Sequence, residues 1–390
     1  MLTVAMFIGT RPEGIKLAPV AREVRRGGGL HAAVVSTGQH REMLRQVVDL
    51  FGIEVTEELS VMRSNQSLAG LTARLVESVD AVLEKLQPDF ALVQGDTATV
   101  LCASLACFYR KIPVGHVEAG LRTGNIWSPF PEEANRRLTS HLVTLHFAPT
   151  ERARQNLLAE GVPGERILVT GNTVIDALQM EVARQEEPEI RAQVHAELAA
   201  ELGEDWAKVP FVLVTGHRRE NFGEGFAQIC AALAELADAF PEHRFIYPVH
   251  LNPQVQEPVR ATLGGRTNIK LVSPKDYRAF VALMKACKLV LTDSGGVQEE
   301  APGLGKPVLV MRDTTERPEG VEAGTVRLVG ANARRIVESV TELLTDEAAY
   351  QSMAEAVNPY GDGKAAGRIV ARIQQWFEEE HRSGSGAASS

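Results

Sequence analysis

The chain contains 390 residues, of which 44% are hydrophobic and 23% are charged, and its formal net charge is −9. This composition matches that of ordinary globular proteins and excludes a disordered chain, and the length predicts two or three domains. The acidic balance excludes nucleic acid as the main partner, because proteins that bind phosphate backbones nonspecifically are basic.

The composition also predicts a soluble, cytoplasmic protein. No apolar run approaches the ~18 residues that a membrane span needs, and residues 1–8 lack the basic start and cleavage site of a signal peptide. The four cysteines lie in apolar segments without a C-x-x-C motif, which is typical of buried, reduced thiols. The ten histidines show no metal-binding spacing, so we predict no protein-ligated metal ion.

Short runs rich in Val, Ile and Leu alternate with segments of helical period along the whole chain. In the first part, the predicted strands are 3–8, 32–36, 90–94, 113–118, 145–148 and 167–169, and the predicted helices are 14–25, 41–50, 67–86, 97–109 and 151–160. In the second part, the predicted strands are 211–215, 245–248, 269–272, 289–292, 308–311 and 326–328, with helices that include 225–239, 277–286 and 297–304.

Apolar strands joined by helices indicate parallel sheets covered on both faces, so we predict two doubly wound α/β domains. The first is predicted to span residues 1–172 and the second residues 173–364. The pattern alone leaves open which domain receives the last helix, at about 365–381. Residues 383–390 have the composition of a flexible linker and are predicted to be disordered.

Ligands of such sheets bind beyond the carboxyl ends of the strands, so the residues that follow each strand are the candidates for function. After the first strand, Thr10 and Glu13 match a capping box, and Pro12 suits a first helical turn. A helix start does not explain Arg11 and Lys16, because the helix dipole disfavours cations there. We therefore predict that Arg11 and Lys16 bind phosphate, with plain helix-start chemistry as the alternative.

Three later segments in the first part each supply a carboxylate, namely Asp96, Glu118 and Glu132. Each one alone fits ordinary helix-start or strand-end chemistry. Doubly wound topology, however, brings the segments to one edge of the sheet, where converging carboxylates raise one another's pKa. The coincidence favours general acid/base catalysis.

In the second part, His217 follows a strand and is flanked by glycine and two arginines, which favours contact with an anionic substrate over a structural role. Ser294, Gly295 and Gly296 lie between a strand and a helix, where bare amides and a hydroxyl form an anion cradle. A simple tight turn is the alternative there. One turn further on, Glu300 is placed to accept from ribose hydroxyls, and Arg317 is a second candidate phosphate ligand.

Two other glycine-containing segments do not match the nucleotide-binding motifs that they resemble. The segment 223–225 is not a G-x-G-x-x-G and does not directly follow a strand. The segment 303–307 lacks the spacing and the hydroxyl residue of a P-loop. A nicotinamide-dependent dehydrogenase and a P-loop nucleotidase are therefore disfavoured.

Taken together, these segments resemble the bacterial non-hydrolysing UDP-N-acetylglucosamine 2-epimerases. The matching stretches run in family order from residue 9 to about residue 369, and they are GTRPEGIKLAP, GQHREML, VQGDTATV, IPVGHVEAGLRTG, FPEEANRRLT, TGNTVIDAL, TGHRRENFG, YPVHLNP, LTDSGGVQEEAPGLGKPVLVMRDTTERPEG and NPYGDGKAAGRI. The resemblance implies a glycosyltransferase B-like fold of two Rossmann-like domains. It also implies an active site in the interdomain cleft, a last helix that crosses back to the first domain, a homodimer, and no metal or nicotinamide cofactor.

The resemblance also implies a role for each candidate residue. Around the sugar and the diphosphate it places Arg11, Lys16, Asp96, Glu118, Glu132 and His217. On the nucleotide it places Ser294, Gly295, Gly296, Glu300 and Arg317, with Phe280 and Lys275 near the uracil. Many relatives bind a second UDP-N-acetylglucosamine as an activator, and here the similar positions are Gln39, His40, Glu133, Arg218 and His250.

The implied reaction interconverts UDP-N-acetylglucosamine (UDP-GlcNAc) and UDP-N-acetylmannosamine (UDP-ManNAc), and the product supplies cell-surface polysaccharide synthesis. No carbonyl acidifies the proton at C2, so a direct proton exchange should fail. Breaking the C1–O bond first solves this problem, which leads to elimination and re-addition of UDP through 2-acetamidoglucal. A hydrolysing epimerase, a glycosyltransferase and a non-catalytic nucleotide-sugar sensor are the alternatives.

Overall fold

The computed structural model describes residues 1–39, 41–63 and 65–386, and the chain divides into two compact units. The first unit comprises residues 1–177 together with the chain from Tyr360 onward, and the second comprises residues 178–359. The first unit therefore ends after residue 177 rather than after residue 172, and residues 360–364 belong to the first unit rather than to the second.

Short strands and longer helices alternate through both units. The strands are β1 (Leu2–Ile8), β2 (Leu30–Ser36), β3 (Val55–Glu58), β4 (Phe90–Gln94), β5 (Val114–Val117), β6 (Leu145–Ala148), β7 (Ile167–Val169), β8 (Phe211–Thr215), β9 (Arg244–Pro248), β10 (Ile269–Val272), β11 (Leu289–Thr292), β12 (Val308–Val310) and β13 (Val326–Leu328). The helices are α1 (Arg11–Arg26), α2 (Arg41–Phe51), α3 (Leu68–Leu86), α4 (Ala98–Tyr109), α5 (Glu132–Leu142), α6 (Glu151–Ala159), α7 (Thr173–Arg184), α8 (Pro188–Leu202), α9 (Glu224–Ala239), α10 (Pro253–Leu263), α11 (Tyr277–Ala286), α12 (Gly295–Glu300), α13 (Pro318–Glu322), α14 (Ala333–Thr345), α15 (Glu347–Ala354) and α16 (Ala365–Gly386).

Each unit has one parallel sheet within the described residues. The order is β3-β2-β1-β4-β5-β6-β7 in the first unit and β10-β9-β8-β11-β12-β13 in the second. The direction of chain progression reverses between β1 and β4 in one sheet and between β8 and β11 in the other, which is where open α/β sheets bind ligands. The predicted fold of two doubly wound α/β domains is confirmed.

The side chains of β1 show why this sheet is covered on both faces. Val4, Met6 and Ile8 pack in one core with α1, α2 and α16, whereas Ala5 and Phe7 pack on the opposite face with α3 and α4. All five side chains are buried, because alternate residues of a strand point to opposite faces and helices cover each face. The continuous apolar run of β1 follows from this arrangement.

One strand escapes sequence prediction. The edge strand β3 reads Val-Thr-Glu-Glu, alternates between half-buried and exposed, and therefore has no apolar run. It pairs with β2 through a register shift between Val34 and Val35, where the Val34 amide donates to the Thr56 hydroxyl over 3.2 Å. Pairing at a sheet edge needs only backbone groups, so charged residues are compatible with it.

The last helix, α16, packs on the core of the first unit through Ile369, Val370 and Ile373. It begins where the Asp176 carboxylate accepts from the amides of Ala365 (3.2 Å) and Ala366 (2.8 Å). The helix continues to Gly386, so the predicted disordered segment 383–390 begins inside a helix, and residues 387–390 lie outside the described part of the chain.

The four cysteines are buried and form no disulfide, as predicted. Burial raises the pKa of Cys102 and Cys230 to about 11 and that of Cys107 and Cys287 to about 12. These thiols are therefore protonated and unreactive near neutral pH. Among the described residues, no helix is both long enough and apolar enough to cross a membrane.

Two histidines lie side by side on neighbouring strands of the first sheet. His116 of β5 is opposite His146 of β6, and both are buried. Burial lowers the pKa of His116 to about 4, and burial together with the charge of His116 lowers that of His146 to about 3. Both rings are therefore neutral in the folded protein, and among the described residues neither Nδ1 atom has a hydrogen-bond partner.

We predict that these histidines make the fold sensitive to acid. Unfolded histidine takes up a proton near pH 6.5, whereas the folded residues stay neutral down to about pH 4, so stability is lost as the pH falls below about 6.5. Between about pH 7 and about pH 4.5, each histidine should lower the free energy of unfolding by about 2 kcal/mol. Urea denaturation of the His146→Leu variant should show less acid sensitivity than the wild type. The exposed His31→Gln is the control, and equal acid sensitivity of His146→Leu and the wild type would contradict the prediction.

Candidate active site and family

A buried carboxylate joins the loops that follow β1 and β4. Glu13, which is 1% exposed, accepts from the amides of Gly9 (2.7 Å) and Thr10 (2.6 Å) and from the hydroxyl of Thr97 (2.5 Å). Burial raises the pKa of Glu13 to about 6, although the three donors oppose this shift. The helix-start role predicted for Glu13 is confirmed, and the contact with Thr97 also places the neighbouring Asp96 relative to α1.

Glu118 lies at the end of β5 in a left-handed backbone conformation, with φ +65°. Its carboxylate forms an ion pair with the Lys16 ammonium group and accepts from the Asn172 side-chain amide over 3.0 Å. The two charged side chains are only 8% and 9% exposed. An unusual backbone conformation held by surrounding contacts is typical of functional sites. The structure thus pairs the predicted cation Lys16 with the predicted carboxylate Glu118.

Asp96 follows β4, the strand next to β5. Its carboxylate forms an ion pair with Arg136 of α5, and its main-chain carbonyl accepts from the Asn135 side chain over 2.8 Å. The Asp96 side chain remains 25% exposed. Helix α5 therefore supports the Asp96 loop.

The two glutamates that open α5 have different surroundings. Glu132 is half-buried, and no hydrogen bond or ion pair of its side chain is found among the described residues. Glu133 is fully buried, and its carboxylate accepts from the Thr123 amide and from Arg136 and Arg137, each over 3.2 Å. These contacts give Glu133 a structural role inside the first unit, while its predicted role in activator binding stays a prediction.

The other candidates of the first unit lie around the loop after β1. Arg11 is half-buried at the start of α1, and its guanidinium contacts no other described side chain through a hydrogen bond or ion pair. Gln39 lies close to this loop, because a Cβ atom at Gly9 would lie 3.0 Å from its side-chain oxygen. His40 lies outside the described residues.

In the second unit, the loops after β8 and β11 meet at His217. Its Nδ1 lies 3.4 Å from Oδ1 of Asp293, and its ring stacks on that of His250 at 5.6 Å between centroids. The next residue, Arg218, has its guanidinium 3.7 Å from the Glu316 carboxylate. The structure thus brings His250, which was predicted from a separate segment, next to His217 and Arg218.

The predicted anion cradle opens the six-residue helix α12. The Ser294 amide donates to the Thr292 hydroxyl over 2.9 Å, and the two glycines form the first turn. A Cβ atom at Gly295 would lie 2.6 Å from Nη1 of Arg317, so only glycine allows the guanidinium to lie against the backbone here. Arg317 and the cradle are therefore adjacent.

Arg317 belongs to a network of alternating charges. Its guanidinium donates to Glu299 and Glu316, each over 2.6 Å, and Arg312 donates to Glu316 over 2.8 Å. Burial alone would raise the pKa of Glu316, but Arg317 and Arg312 outweigh burial and lower it to about 2. The carboxylates keep the arginine side chains oriented in a site of low net charge.

Residues predicted to contact the ribose and the base also interact with other side chains of the second unit. The Tyr277 hydroxyl donates to Glu300 over 2.8 Å, and burial together with the Glu300 charge raises the pKa of Tyr277 well above its usual value. The Lys275 ammonium group is paired with Glu201. Phe280 is half-buried on α11.

Several of these partners were missed in the sequence. They are residues that orient a predicted residue, and they include Asn135, Arg136, Asn172, Tyr277 and Asp293. The sequence spacing could have indicated one of these partners, Arg136. It lies three residues after Glu133 and therefore on the same face of α5.

We predict that the buried Lys16–Glu118 pair matters for stability as well as for chemistry. Lys16→Met should lower the free energy of unfolding by about 3 kcal/mol, because it leaves a buried carboxylate without its cation. Lys85→Met is the matched control, since the Lys85–Glu57 pair is exposed and such pairs contribute about 0–1 kcal/mol. Urea denaturation measures both. Equal losses in the two variants would contradict a special role for the buried pair.

Comparisons with known proteins agree with this geometry. The family model described as UDP-N-acetylglucosamine 2-epimerase matches residues 22–374. The UDP-N-acetylglucosamine 2-epimerase of Yersinia pestis is 56% identical over 374 residues, which cover 96% of this chain and 98% of that protein.

Solved structures show the same similarity. The UDP-GlcNAc 2-epimerase of Neisseria meningitidis bound to UDP-GlcNAc has a TM-score of 0.89 and 48% identity, covering 96% of this chain and 100% of that one. The enzyme of Methanocaldococcus jannaschii in complex with UDP-GlcNAc and UDP has a TM-score of 0.80 and 33% identity, covering 96% and 100%. The chain therefore belongs to the UDP-N-acetylglucosamine 2-epimerase family of isomerases.

Proposed function

We propose that this protein interconverts UDP-GlcNAc and UDP-ManNAc without net hydrolysis. The observation that carries the proposal is the pair of carboxylates at neighbouring strand ends, Asp96 and Glu118, each held by a cation. Family membership supports the same substrate, because the relatives from Neisseria and Methanocaldococcus were solved with UDP-GlcNAc bound.

The nucleotide is assigned to the second unit. Gly295 and Gly296 offer backbone amides to the diphosphate, Ser294 offers its hydroxyl, and Arg317 supplies a positive charge beside them. Glu300, oriented by the Tyr277 hydroxyl, accepts from the ribose. Phe280 and Lys275 are assigned to the uracil by family resemblance.

The sugar reaction begins with cleavage of the C1–O bond. A carboxylate removes the C2 proton, the C2–H electron pair becomes the C1–C2 double bond of 2-acetamidoglucal, and the C1–O electron pair leaves with UDP. A UDP oxygen then attacks C1 while a proton is delivered to the other face of C2. Because the two epimers carry this proton on opposite faces, the reaction needs proton-transfer groups on both sides.

Asp96, Glu118 and Glu132 are assigned to this proton transfer. Glu118 forms an ion pair with Lys16, and Asp96 forms one with Arg136. Glu132 differs, because no ion pair of its side chain is found among the described residues. Arg11 and His217 are assigned to the negative charge that develops on the departing diphosphate.

The assignment extends to assembly and regulation by family resemblance. We propose a cytoplasmic homodimer whose product feeds cell-surface polysaccharide synthesis. A second UDP-GlcNAc is proposed as an activator that contacts Gln39, His40, Glu133, Arg218 and His250. The proximity of Arg218 and His250 to His217 supports one part of this set.

Turnover in deuterium oxide tests the proposed reaction. Incubation with UDP-GlcNAc should yield UDP-ManNAc with deuterium at C2 of both sugars, because the C2 proton leaves the substrate during each elimination. Proton NMR follows the loss of the C2 signal. Free N-acetylmannosamine as the product would indicate a hydrolysing epimerase instead, and an unchanged substrate would indicate a glycosyltransferase or a nucleotide-sugar sensor.

We predict that two carboxylate variants separate chemistry from binding. Asp96→Asn and Glu132→Gln should each lower kcat by about 10²-fold or more, because general acid/base groups contribute about this much. The Kd for UDP, measured by calorimetry, should stay within about threefold, because neither residue is assigned to the nucleotide. Glu77→Gln, an exposed position on α3, is the control. A loss of UDP affinity as large as the loss of kcat would contradict the assignment.

A further inference from the structure

A buried aspartate lies behind the candidate histidine of the second unit. Asp293 is 0% exposed and is the first residue after β11. Its Oδ2 accepts from the amides of His217 (2.9 Å) and Arg218 (2.8 Å) and from the side chain of Asn221 (3.3 Å). One oxygen of this carboxylate therefore holds the loop that carries His217.

The second oxygen of the Asp293 carboxylate, Oδ1, lies near the His217 ring. Oδ1 lies 3.4 Å from Nδ1 of His217 and, among the described residues, accepts no hydrogen bond at this distance. A buried carboxylate oxygen without a donor is costly, and hydrogen bonds in ligand-free active sites often shorten only when the substrate arrives. A proton on Nδ1 of His217 would provide the hydrogen bond that Oδ1 lacks.

The His217 ring also contacts a second histidine. Asp293 after β11 and His250 after β9 both lie against the ring, and the His250 ring is stacked on it at an angle of 18°. Nδ1 of His250 accepts from the Asn252 amide over 3.1 Å, so that nitrogen is already used. The His217 side chain is 42% exposed, so its Nε2 edge is the one that can meet a substrate.

We propose that Asp293 is a positioning residue that keeps the proton of His217 on Nδ1 and stabilises the protonated ring, so that Nε2 donates to the departing diphosphate. This inference rests on the proposed epimerase function and assigns how His217 performs its part. Asp293 itself touches no reacting atom. No bond to Asp293 forms or breaks, and the proton that His217 lends to the phosphate oxygen returns when UDP attacks C1.

Asp293→Asn tests the proposal most directly. The amide oxygen can still accept from the loop amides, but the amide group then faces Nδ1 with a donor and favours a proton on Nε2 instead. We expect kcat to fall by about 10²-fold or more while the Kd for UDP stays within about threefold, because the effect acts on the transition state. In the pH dependence of kcat, the alkaline limb should shift to a pH lower by about one unit, because the protonated ring loses a negative neighbour.

Asn221→Ala is the matched control, because it removes a donor to Oδ2 and leaves Oδ1 and the His217 ring in place. It should lower the melting temperature without moving the pH limb of kcat. If Asp293→Asn lowers kcat no more than Asn221→Ala does and leaves the limb unchanged, the role of Asp293 is structural and the proposal is wrong.

Nitrogen NMR of the wild-type protein provides a readout that needs neither turnover nor a variant at Asp293. With the resonance assigned by its absence in His217→Gln, the neutral ring should carry its proton on Nδ1. A proton on Nε2 would overturn the proposal even if Asp293→Asn did not fold. If the wild type fails to epimerise UDP-GlcNAc, the proposed function falls, while this measurement still decides the state of His217.

Discussion

A buried carboxylate holds the strand-end loops together at the central strand pair of each sheet. In the first unit, Glu13 joins the loop after β1 to Thr97 after β4. In the second unit, Asp293 after β11 holds the loop after β8. Both pairs of strands are the ones between which the sheet order reverses. In both units, therefore, a buried carboxylate fixes the strand-end loops at the place where doubly wound sheets bind ligands.

Burying these two carboxylates costs free energy, and the hydrogen-bond donors around them offset that cost. A carboxylate without partners in a protein interior would neutralise or unfold the region, so each one must receive several hydrogen bonds. Glu13 and Asp293 each receive two backbone amides and one side-chain donor. The loops gain a rigidity that short turns alone do not provide, and rigid loops place charged groups without reorganisation during the reaction.

The arrangement is compatible with the proposal that this acidic protein binds an anionic nucleotide. The arginines of the second unit are accompanied by glutamates, and Glu316 lies between Arg312 and Arg317. In the proposed complex, oriented amides and a few placed cations bind the diphosphate, rather than a basic patch. In the first unit, the same balance leaves the carboxylates next to the cations that stabilise them.

Sequence alone predicted all the described strands except β3, together with the residues that follow them, because the apolar runs of β4, β6 and β11 are distinct and polar residues come directly after such runs. It could not predict the partners, because they come from distant segments. Arg136 lies 40 residues from Asp96, Asn172 lies 54 residues from Glu118, and Asp293 lies 76 residues from His217. Only the folded sheet order brings such residues together.

In the proposed reaction, the C1–O bond breaks and re-forms during each epimerisation. The most direct measurement uses UDP-GlcNAc with oxygen-18 in the bridge between C1 and the β-phosphate, followed by phosphorus NMR. If UDP leaves and its phosphate turns before re-addition, the label should move to a non-bridging position in the recovered substrate and product. Epimerisation with the label wholly retained in the bridge would contradict the account.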